Sequence, residues 1–504
     1  MDYTTNAGVY AQLSLISSEP DEIDQAITNR FGSGCCEKGY IIVPSGMPEF
    51  KQTSGAKIEE EHKTYTIPVA GQKVKKVRVR RTCEISGTLR AYDPNALYVC
   101  PNCNCPMNKI GSTPISLAHI PSGDTYVKIT VEQHRLKCTN PQCPSPVFTF
   151  KATFKADGHN ITTALENYTV SLLAYGLTLK EVSHITGLHK SIVKDIDKKR
   201  LEELYTVNGE GKALKKPETY SEYIGIDEFK LHDGHKYATV IADLVTGIVL
   251  FVAIGKKKEV VYKFIDFMGD EWMKHVVAVA MDMNSDFQEA FQDKYPHIKV
   301  IFDHFHIVKN FNDKVVSEVR KDEQKRLKEE GDEEAARELK GSKYILTSSR
   351  RHLKEMDEDA RLGKTIRREA TLFDRPAIKA KGGYEERYNE LIKGNELLSA
   401  CDIIKEKLDK AFQYKQEKRM RDEIKDIIAI CRGTNNTHFK WFANLLEKHI
   451  DGITAHARYH ISSGIMEGIN NRTKTIRRKS YGLPDDDYFF LKIIDASHQR
   501  TRFS

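Results

Sequence analysis

The sequence predicts a multidomain α/β protein, and three observations support this fold class. Half of the ten cysteines fall between residues 100 and 143, which indicates a small cysteine-rich module. Residues 177–200 carry two short helical periods that are separated by a glycine. Downstream, strand-like and helical segments alternate from 223 to 309, a pattern typical of a mixed sheet with crossover helices. At 504 residues the chain can hold about three domains of roughly 150 residues each.

Composition limits the classes of function. The chain carries 78 Lys and Arg against 71 Asp and Glu, a formal net charge of +7, which permits a polyanionic partner without requiring one. Residues 1–22 have no basic segment ahead of an apolar run, so we expect no secretory signal peptide. No run of about 20 apolar residues occurs, so we expect no membrane span. These features predict a soluble, cytoplasmic protein. Residues 1–84 match no pattern that predicts a role.

The cysteine-rich module, which we assign to 85–155, contains two closely spaced pairs, Cys100 with Cys103 and Cys138 with Cys143. Two such pairs beside Pro and Asn turn residues can hold four thiolates around one tetrahedral Zn²⁺, so the sequence predicts a zinc ribbon with one structural zinc. Cys105 could replace Cys103 as a ligand. The alternative interpretation is a set of ordinary buried or free thiols.

Residues 156–212 are expected to form a helical domain. Apolar residues recur at helical spacing from Leu179, the pattern stops at Gly187, and it resumes at Leu188. Two short helices joined by a turn that contains glycine form the helix-turn-helix pattern. The polar side of the second helix offers residue types that contact phosphates and base edges in DNA, namely His189, Lys190, Ser191 and Lys194. The alternative is a helical hairpin in another kind of core, and the neighbouring zinc module favours DNA binding.

The segment 222–319 is expected to fold as a mixed sheet, with three antiparallel strands followed by a helix and two further buried strands. Asp227 and Asp282 lie at or near the carboxyl ends of two of these strands, where open α/β sheets bind their ligands. Two carboxylates that would repel each other are best explained by cations between them, and oxygen ligands suit Mg²⁺ or Mn²⁺. For either Asp alone, a strand terminator is the simpler alternative.

Another strand end carries Asp303, His304 and His306 in the sequence DHFHIVK. The strand that ends here should neighbour the strand of Asp282, so we expect these side chains near the metals. We assign them a supporting role and not a role as ligands. The alternative is a strand terminator and helix cap with two packed histidines.

The segment 460–482 contains a single acid, Glu467, among amides and cations. On a helix, Glu467 shares one face with Asn470 or Asn471 and with Lys474, because these residues follow at steps of three or four. A carboxylate that completes a metal site, beside amides and cations, fits a phosphate backbone lying next to bound metal. The residues predicted to contact DNA here are Asn470, Asn471, Lys474, Arg477 and Arg478. The alternative is a basic solvated helix with one stray acid.

Residues 320–432 are predicted to form an α-helical insertion. From 317 to 344, 17 of 28 residues are charged, which is typical of a solvated helix or arm. Later apolar residues recur at helical spacing and could form either a contact with a second copy of the chain or an internal core: Leu397, Leu398, Ile403, Ile404 and Leu408.

Together these motifs resemble the DDE transposases of bacterial insertion sequences, specifically the ISL-three-type family. The resemblance spans roughly residues 85–500 and rests on IGIDEF around Asp227, VAMDMN around Asp282, DHFHIVK, and the run EGINNRTKTIRR that begins at Glu467. It implies a ribonuclease-H-like catalytic core formed by 222–319 and 433–504, split by the helical insertion. The implied catalytic triad is Asp227, Asp282 and Glu467.

The activity implied by this resemblance is transposition. Two Mg²⁺ (or Mn²⁺) ions held by the three acids would activate water and then a 3′-hydroxyl for in-line attack on DNA phosphodiesters. The implied partner is double-stranded DNA, as terminal inverted repeats and as target, with the protein in the bacterial cytoplasm and at the nucleoid when bound to DNA. We also expect a homodimer on DNA, because both ends of an element must be held together. The alternatives are a nuclease of the same fold that does not join DNA, and a DNA-binding regulator without chemistry.

Overall fold

The computed structural model describes most of the chain. The described residues are 50–69, 72–90, 92–209, 213–232, 234, 236–366, 378–379, 382–459, 461, 464–479 and 485–502, with the backbone of 13–16 and 41–44. The chain divides into two compact units, which are residues 1–214 with 479–484, and residues 215–478 with 485–504. None of the helices in the described part combines the length and the apolarity needed to span a membrane.

The N-terminal unit is built on a seven-stranded sheet. Its strands are β3 (Phe50–Gln52), β4 (Lys57–Val69), β5 (Gln72–Leu89), β6 (Tyr98–Val99), β7 (Pro106–Ser122), β8 (Thr125–Cys138) and β9 (Val147–Thr149), while β1 (Leu13–Ile16) and β2 (Ile41–Pro44) pair with each other. The order is β3-β5-β8-β7-β6, with β4 also paired to β5 and β9 to β8. Only β5 and β8 run parallel among these pairs. The sequence suggests a domain boundary between residues 84 and 85. Because β5 runs through this point, strands from both sides of the boundary belong to one sheet.

Three helices follow this sheet: α1 (Thr163–Ala174), α2 (Leu179–Thr186) and α3 (Lys190–Tyr205). Helix α2 begins with a capping box, in which Thr178 and Glu181 each bind the other's backbone N–H. It ends at Gly187, whose φ of +74° favours glycine. A Cβ on Gly187 would also lie 2.5 Å from the ring of Tyr126 in β8. The two helices predicted around this glycine are therefore present, and the turn between them packs against the sheet.

The C-terminal unit contains a five-stranded mixed sheet. Its strands are β10 (Tyr223–His232), β11 (Lys236–Asp243), β12 (Val249–Ile254), β13 (Ala278–Met281) and β14 (Lys299–Phe302), in the order β12-β11-β10-β13-β14. Strands β10, β11 and β12 pair in antiparallel fashion, whereas β13 and β14 run parallel to β10. The connections are α4 (Lys258–Met268), α5 (Asp270–Met273) and α6 (Ser285–Lys294). The mixed sheet with crossover helices is as predicted.

The rest of this unit is mainly helical. Helix α7 (His304–Phe311) continues through a π-helical turn (Asn312–Val316) into α8 (Ser317–Glu329), and the later elements are α9 (Glu333–Leu339), α10 (Lys343–Thr347), α11 (Arg350–Arg361), β15 (Thr365–Ile366), β16 (Ile378–Lys379), α12 (Tyr384–Lys393), α13 (Glu396–Ala411), α14 (Glu417–Gly433), α15 (Thr437–Lys448), α16 (Ile450–Tyr459), α17 (Gly464–Lys479) and α18 (Asp486–Arg502). One hydrophobic core joins sheet residues such as Ile226 and Met281 to helix residues such as Leu408 and Ile427. The predicted helical insertion therefore shares its core with the sheet.

This shared core accounts for the apolar stripe of α13. Leu398, Ile404 and Leu408 are fully buried within it, and Leu397 packs against it. Ile403 is 48% exposed. Of the two explanations that the sequence allows for this stripe, the internal core is the one that the packing supports, because buried side chains cannot also contact a second copy.

Candidate active site and cysteine cluster

Three acids lie just beyond the parallel-paired segments of neighbouring strands. Strands β10 and β13 run parallel and pair as far as Gly225 opposite Ala280, and Asp227 and Asp282 each follow two residues later. Strands β13 and β14 pair as far as Met281 opposite Phe302, and Asp282 and Asp303 directly follow this last pair. Neighbouring strands lie about 4.8 Å apart, and level residues point to the same face of a sheet. Residues distant in the sequence therefore meet at one place.

Asp282 directly follows β13, as predicted, but Asp227 lies in the middle of β10 and not at its carboxyl end. The reason is that β10 has two different neighbours. Its parallel pairing with β13 stops at Gly225, whereas its antiparallel pairing with β11 continues to His232. Asp227 thus lies just beyond the parallel part of its strand, and the sequence alone does not reveal where that part ends.

The carboxylate of Asp227 is held by two donors. The backbone N–H of Glu228 donates to Oδ1 at 2.8 Å, and the Asn470 side-chain amide donates to Oδ2 at 2.6 Å. Burial raises the pKa of Asp227; these hydrogen bonds and the nearby His306 oppose that rise, and the charge of Asp282 adds to it. A carboxylate in this environment is one that a bound cation would stabilise.

Asp282 has a different set of contacts. The backbone N–H of Met283 donates to its Oδ1 at 2.6 Å, and Nδ1 of His306 lies 3.5 Å from its Oδ2. Of the three residues predicted to support the metals, His306 is the one with this close contact. Asp303 is buried at the start of α7, and the ring of His304 packs on Phe412, with centroids 4.1 Å apart.

Helix α17 approaches the sheet closely at Gly225. A Cβ at this position would lie 2.7 Å from the sulfur of Met466, so glycine permits the contact. One turn after Met466, Asn470 reaches Asp227. Glu467 is exposed and lies three residues before Asn470, which places the two side chains on neighbouring positions of the helix surface.

The three acids do not form a closed ligand set. Within the described residues, the one group of three or more His, Cys, Asp or Glu side chains with ligand atoms all within 4.8 Å of one another is a cysteine cluster. Asp227 and Asp282 interact electrostatically, and Glu467 lies on the helix that contacts Asp227 without closing on both.

Sequence reasoning missed two polar residues at this site, Glu228 and Asn284. The amide of Asn284 lies 3.4 Å from Oε2 of Glu228 and its Oδ1 caps α6, so it links the strands of Asp227 and Asp282. Burial raises the pKa of Glu228, and the charges of both aspartates add to this rise. The signal in the sequence is that each residue lies within two positions of a predicted acid.

The donor set at this site fits a divalent cation. The carboxylates of Asp227 and Asp282 are near enough to interact electrostatically, and burial disfavours the charge on Asp227 unless a cation compensates it. The Oδ1 atom of Asn470 is buried beside them and has no hydrogen-bond partner within the described part of the chain. An unpaired amide oxygen next to carboxylates is a further hard ligand, either for the ion or for a water bound to it.

The cysteine cluster consists of Cys100, Cys103, Cys138 and Cys143, whose sulfurs all lie within 4.8 Å of one another. The sulfurs of Cys103 and Cys138 are 3.4 Å apart, and those of Cys100 and Cys143 are 3.7 Å apart. Four sulfurs at about 2.3 Å from a tetrahedral zinc lie roughly 3.8 Å from each other. The geometry is therefore compatible with a structural zinc.

Cys105 lies outside this cluster and has another role. The backbone N–H of Cys105 donates to the sulfur of Cys103, which lowers the pKa of the Cys103 thiol to about 6. By contrast, burial raises the pKa of Cys138 to about 12. Zinc binds thiolates, so its binding would release protons from this cluster. Of the two cysteines between which the sequence leaves the choice open, Cys103 is the one whose sulfur lies in the cluster of four.

The residues predicted to contact DNA fall into two groups. His189, Lys190 and Ser191 are exposed at the start of α3, Lys194 follows one turn later, and Asn471, Lys474 and Arg478 are exposed on α17. Two others bond to strand β10. Asn470 is bound to Asp227, and Arg477 donates to the backbone oxygen of Lys230 at 2.9 Å.

Comparison with known proteins identifies the family of this chain. The family model for the ISL3 (ISL-three-type) DDE transposases, described as "Transposase", matches residues 224–493. This range covers the mixed sheet, the helical region and α17. A transposase for the insertion sequence element IS1001 from Bordetella parapertussis is 26% identical over 399 residues, which is 79% of this chain and 88% of that protein. Because the family match extends over more than half of the chain, this protein belongs to the ISL3-type family of DNA transposases.

Proposed function

We propose that this transposase cuts and joins DNA at a site formed by Asp227, Asp282 and Glu467, in a ribonuclease-H-like core. The observation that carries the proposal is that Asp227 and Asp282 each lie two residues beyond the last pair of two adjacent parallel strands and interact electrostatically, with α17 packed at Gly225. Three carboxylates on a sheet and a neighbouring helix form an open site of the kind that binds metal and substrate together.

The two aspartates and Glu467 would hold two Mg²⁺ or Mn²⁺ ions. When bound, such ions supply Lewis-acid stabilisation of the attacking and leaving oxygens of the phosphodiester. The protein contributes the orientation of the ligands. Asn470 and the backbone of Glu228 fix the Asp227 carboxylate, and His306 supports Asp282. Lys474 and Arg478 are exposed farther along α17, where they can neutralise phosphates of the bound strand.

The N-terminal unit is proposed to recognise the terminal inverted repeats of the element. Cys100, Cys103, Cys138 and Cys143 would bind one structural Zn²⁺ and stabilise the sheet that supports α2 and α3. These two helices, joined at Gly187, would act as a helix-turn-helix. His189, Lys190 and Ser191 lie at the exposed start of α3, which is the part of a recognition helix that contacts base edges.

We propose further that the active form is a homodimer on DNA, which also engages target DNA. Moving an element requires that both of its ends be held together, and one chain carries one copy of each proposed site. Since a symmetric dimer presents two equivalent sites, it matches a pair of inverted repeats.

The test is a cleavage and joining assay with labelled terminal-repeat DNA and Mg²⁺. We expect the wild-type protein to cut at the element ends and to join them to target DNA. Asp227→Asn should abolish both reactions while binding to the repeats is retained. Cleavage without joining would support a nuclease, and binding without cleavage would support a regulator. Cleavage by Asp227→Asn at the wild-type rate would refute the assignment of the site.

A further inference from the structure

We propose that the hairpin of β4 with the first part of β5 is a second DNA-binding element, which contacts the phosphate backbone without sequence preference. We call residues 57–69 and 72–81 the basic ribbon. The proposal rests on the proposed function, in which the protein handles DNA, and assigns a partner to a segment for which the sequence predicts no role.

The basic ribbon extends beyond the sheet that anchors it. The pairing of β5 with β8 begins at Arg81, and the pairing with β3 begins at Gly87. Residues 72–80 pair with β4 alone in the described part of the chain. At about 3.3 Å per residue, these nine residues form a two-stranded extension roughly 30 Å long. A ribbon of this kind is narrow enough to enter the major groove of DNA, which is about 12 Å wide.

Charges are segregated along the basic ribbon. Its base contains the acids Glu59, Glu60 and Glu61, and each is paired with a nearby cation: Lys57 at 2.7 Å, Arg81 at 2.6 Å and Lys63 at 3.0 Å, respectively. The distal part, residues 64–79, contains no acid and four cations, Lys73, Lys75, Lys76 and Arg78. The excess positive charge of the ribbon sequence is therefore concentrated in its distal part, and a local excess of cations attracts a polyanion.

The alternative explanation is that the lysines only protect the edges of a β-ribbon from aggregation. That explanation requires cations but does not require them to be separated from the acids. It also does not account for the exposed apolar side chains of Val77 and Val79, which are 58% and 46% exposed between the cations. Exposed apolar groups among cations fit a groove, where they can contact the sugars of the backbone. We therefore favour double-stranded DNA as the partner.

The first experiment measures binding to a random-sequence 30-base-pair duplex as a function of salt. The variant Lys73→Gln/Lys75→Gln/Lys76→Gln/Arg78→Gln removes the distal cations of the basic ribbon. The slope of log K against log salt should fall by about 3 to 4, since each phosphate contact contributes about 0.9. An unchanged slope overturns the proposal.

The matched control removes the same number of cations from helix α8 (Lys321→Gln/Lys325→Gln/Arg326→Gln/Lys328→Gln), where three of them are paired with acids. This control should leave the slope unchanged. An equal loss in both variants would assign the effect to net charge and would also overturn the proposal.

A second experiment does not depend on removing charge. A photo-crosslinking amino acid is introduced at Val77 in the full chain, and at the comparably exposed Ile403 as a control. We expect crosslinks to the random duplex from position 77 at a clearly higher yield. Equal yields would contradict the proposal even if the quadruple variant fails to fold. The wild-type assay on terminal-repeat DNA remains independent of these results, so failure of the cleavage chemistry and failure of the basic ribbon can be told apart.

Discussion

The four cysteines of the N-terminal unit come from two short segments, whereas the acids of the C-terminal unit come from elements that are far apart in the chain. Cys100 and Cys103 follow β6, Cys138 ends β8, and Cys143 lies in the next loop, so the pairing of neighbouring strands brings the four thiols together. Asp227, Asp282 and Glu467 depend on a parallel strand pair and on the packing of a helix that begins almost 240 residues after Asp227.

The cysteine cluster and the three acids also differ in how close their ligand atoms lie to one another. The cysteine sulfurs lie within 4.8 Å of one another and are largely buried, as in a structural metal site. By contrast, Glu467 is exposed, and the carboxylate oxygens of the three acids do not all lie within 4.8 Å of one another. Structural metal sites contribute to folding, whereas catalytic sites need room for substrate. We therefore expect loss of a cysteine to affect stability and loss of an acid to affect chemistry alone.

The largest expected effect is that of Cys138→Ser on the stability of the N-terminal unit. A structural zinc contributes about 10–16 kcal/mol in small zinc domains, which exceeds the whole stability of most domains. We expect zinc analysis to give one ion per wild-type chain and none for the variant, with loss of the folding transition of this unit.

The matched control is Cys105→Ser, which should keep its zinc because Cys105 lies outside the cluster. A folded, zinc-free Cys138→Ser protein would contradict the structural role that we assign to the cysteine cluster.

The next effect is that of Asn470→Ala on cleavage. Because the Asn470 amide fixes the Asp227 carboxylate, its loss should slow cleavage by about 10–100-fold while the melting temperature changes little. The neighbouring Asn471→Ala removes an exposed amide and should leave the cleavage rate of bound DNA nearly unchanged. If the two variants are equally slow, the hydrogen bond to Asp227 has no special role.

Gly225→Ala tests how closely α17 must approach the sheet. The added methyl group would collide with Met466 and Leu244, and overpacking of this kind typically costs about 1–3 kcal/mol. We expect a lower urea midpoint and slower cleavage together. The second substitution Met466→Ala should restore part of both, because it removes one of the colliding side chains. Unchanged cleavage in Gly225→Ala would mean that the position of α17 does not matter for chemistry.

The smallest effect concerns Glu423, which contrasts with Asp227 in the same unit. Burial would raise the pKa of Glu423, but hydrogen bonds from Lys407 and Lys410 outweigh it and lower the pKa to about 2. The folded pKa lies below the ordinary value of 4.5, so this stabilisation is present above pH 4.5 and is lost as the pH falls towards 2. We expect about 1 kcal/mol, since Lys410 is largely exposed.

Urea unfolding of the wild-type protein and of Glu423→Gln at several pH values measures the contribution of Glu423 to the free energy of unfolding. The difference between them should shrink as the pH falls below 4.5. A difference that stays constant would show that Glu423 acts through packing. Glu423 already has its cations, whereas burial raises the pKa of Asp227, and this contrast marks Asp227 as the acid that needs a further cation.

The parts of the structure that depend on nearby residues are those that the sequence predicts well. The spacing of the cysteines predicts their cluster, and the pattern around Gly187 predicts two helices. The position of Asp227 within its strand and the bond from Asn470 could not be predicted, because they depend on strand register and helix packing over long separations. For the same reason, the periodicity of α13 predicts its buried face but not which element covers it.

The most direct test of the central claim is a count of Mn²⁺ ions bound per chain in the presence of terminal-repeat DNA. We predict two ions for the wild-type protein and the loss of at least one in Glu467→Gln. Glu228→Gln is the matched control, because Glu228 lies beside Asp227 but contacts Asn284. It should keep both ions. Two ions retained by Glu467→Gln, with loss in Glu228→Gln, would contradict the proposed triad and make Glu228 the third ligand.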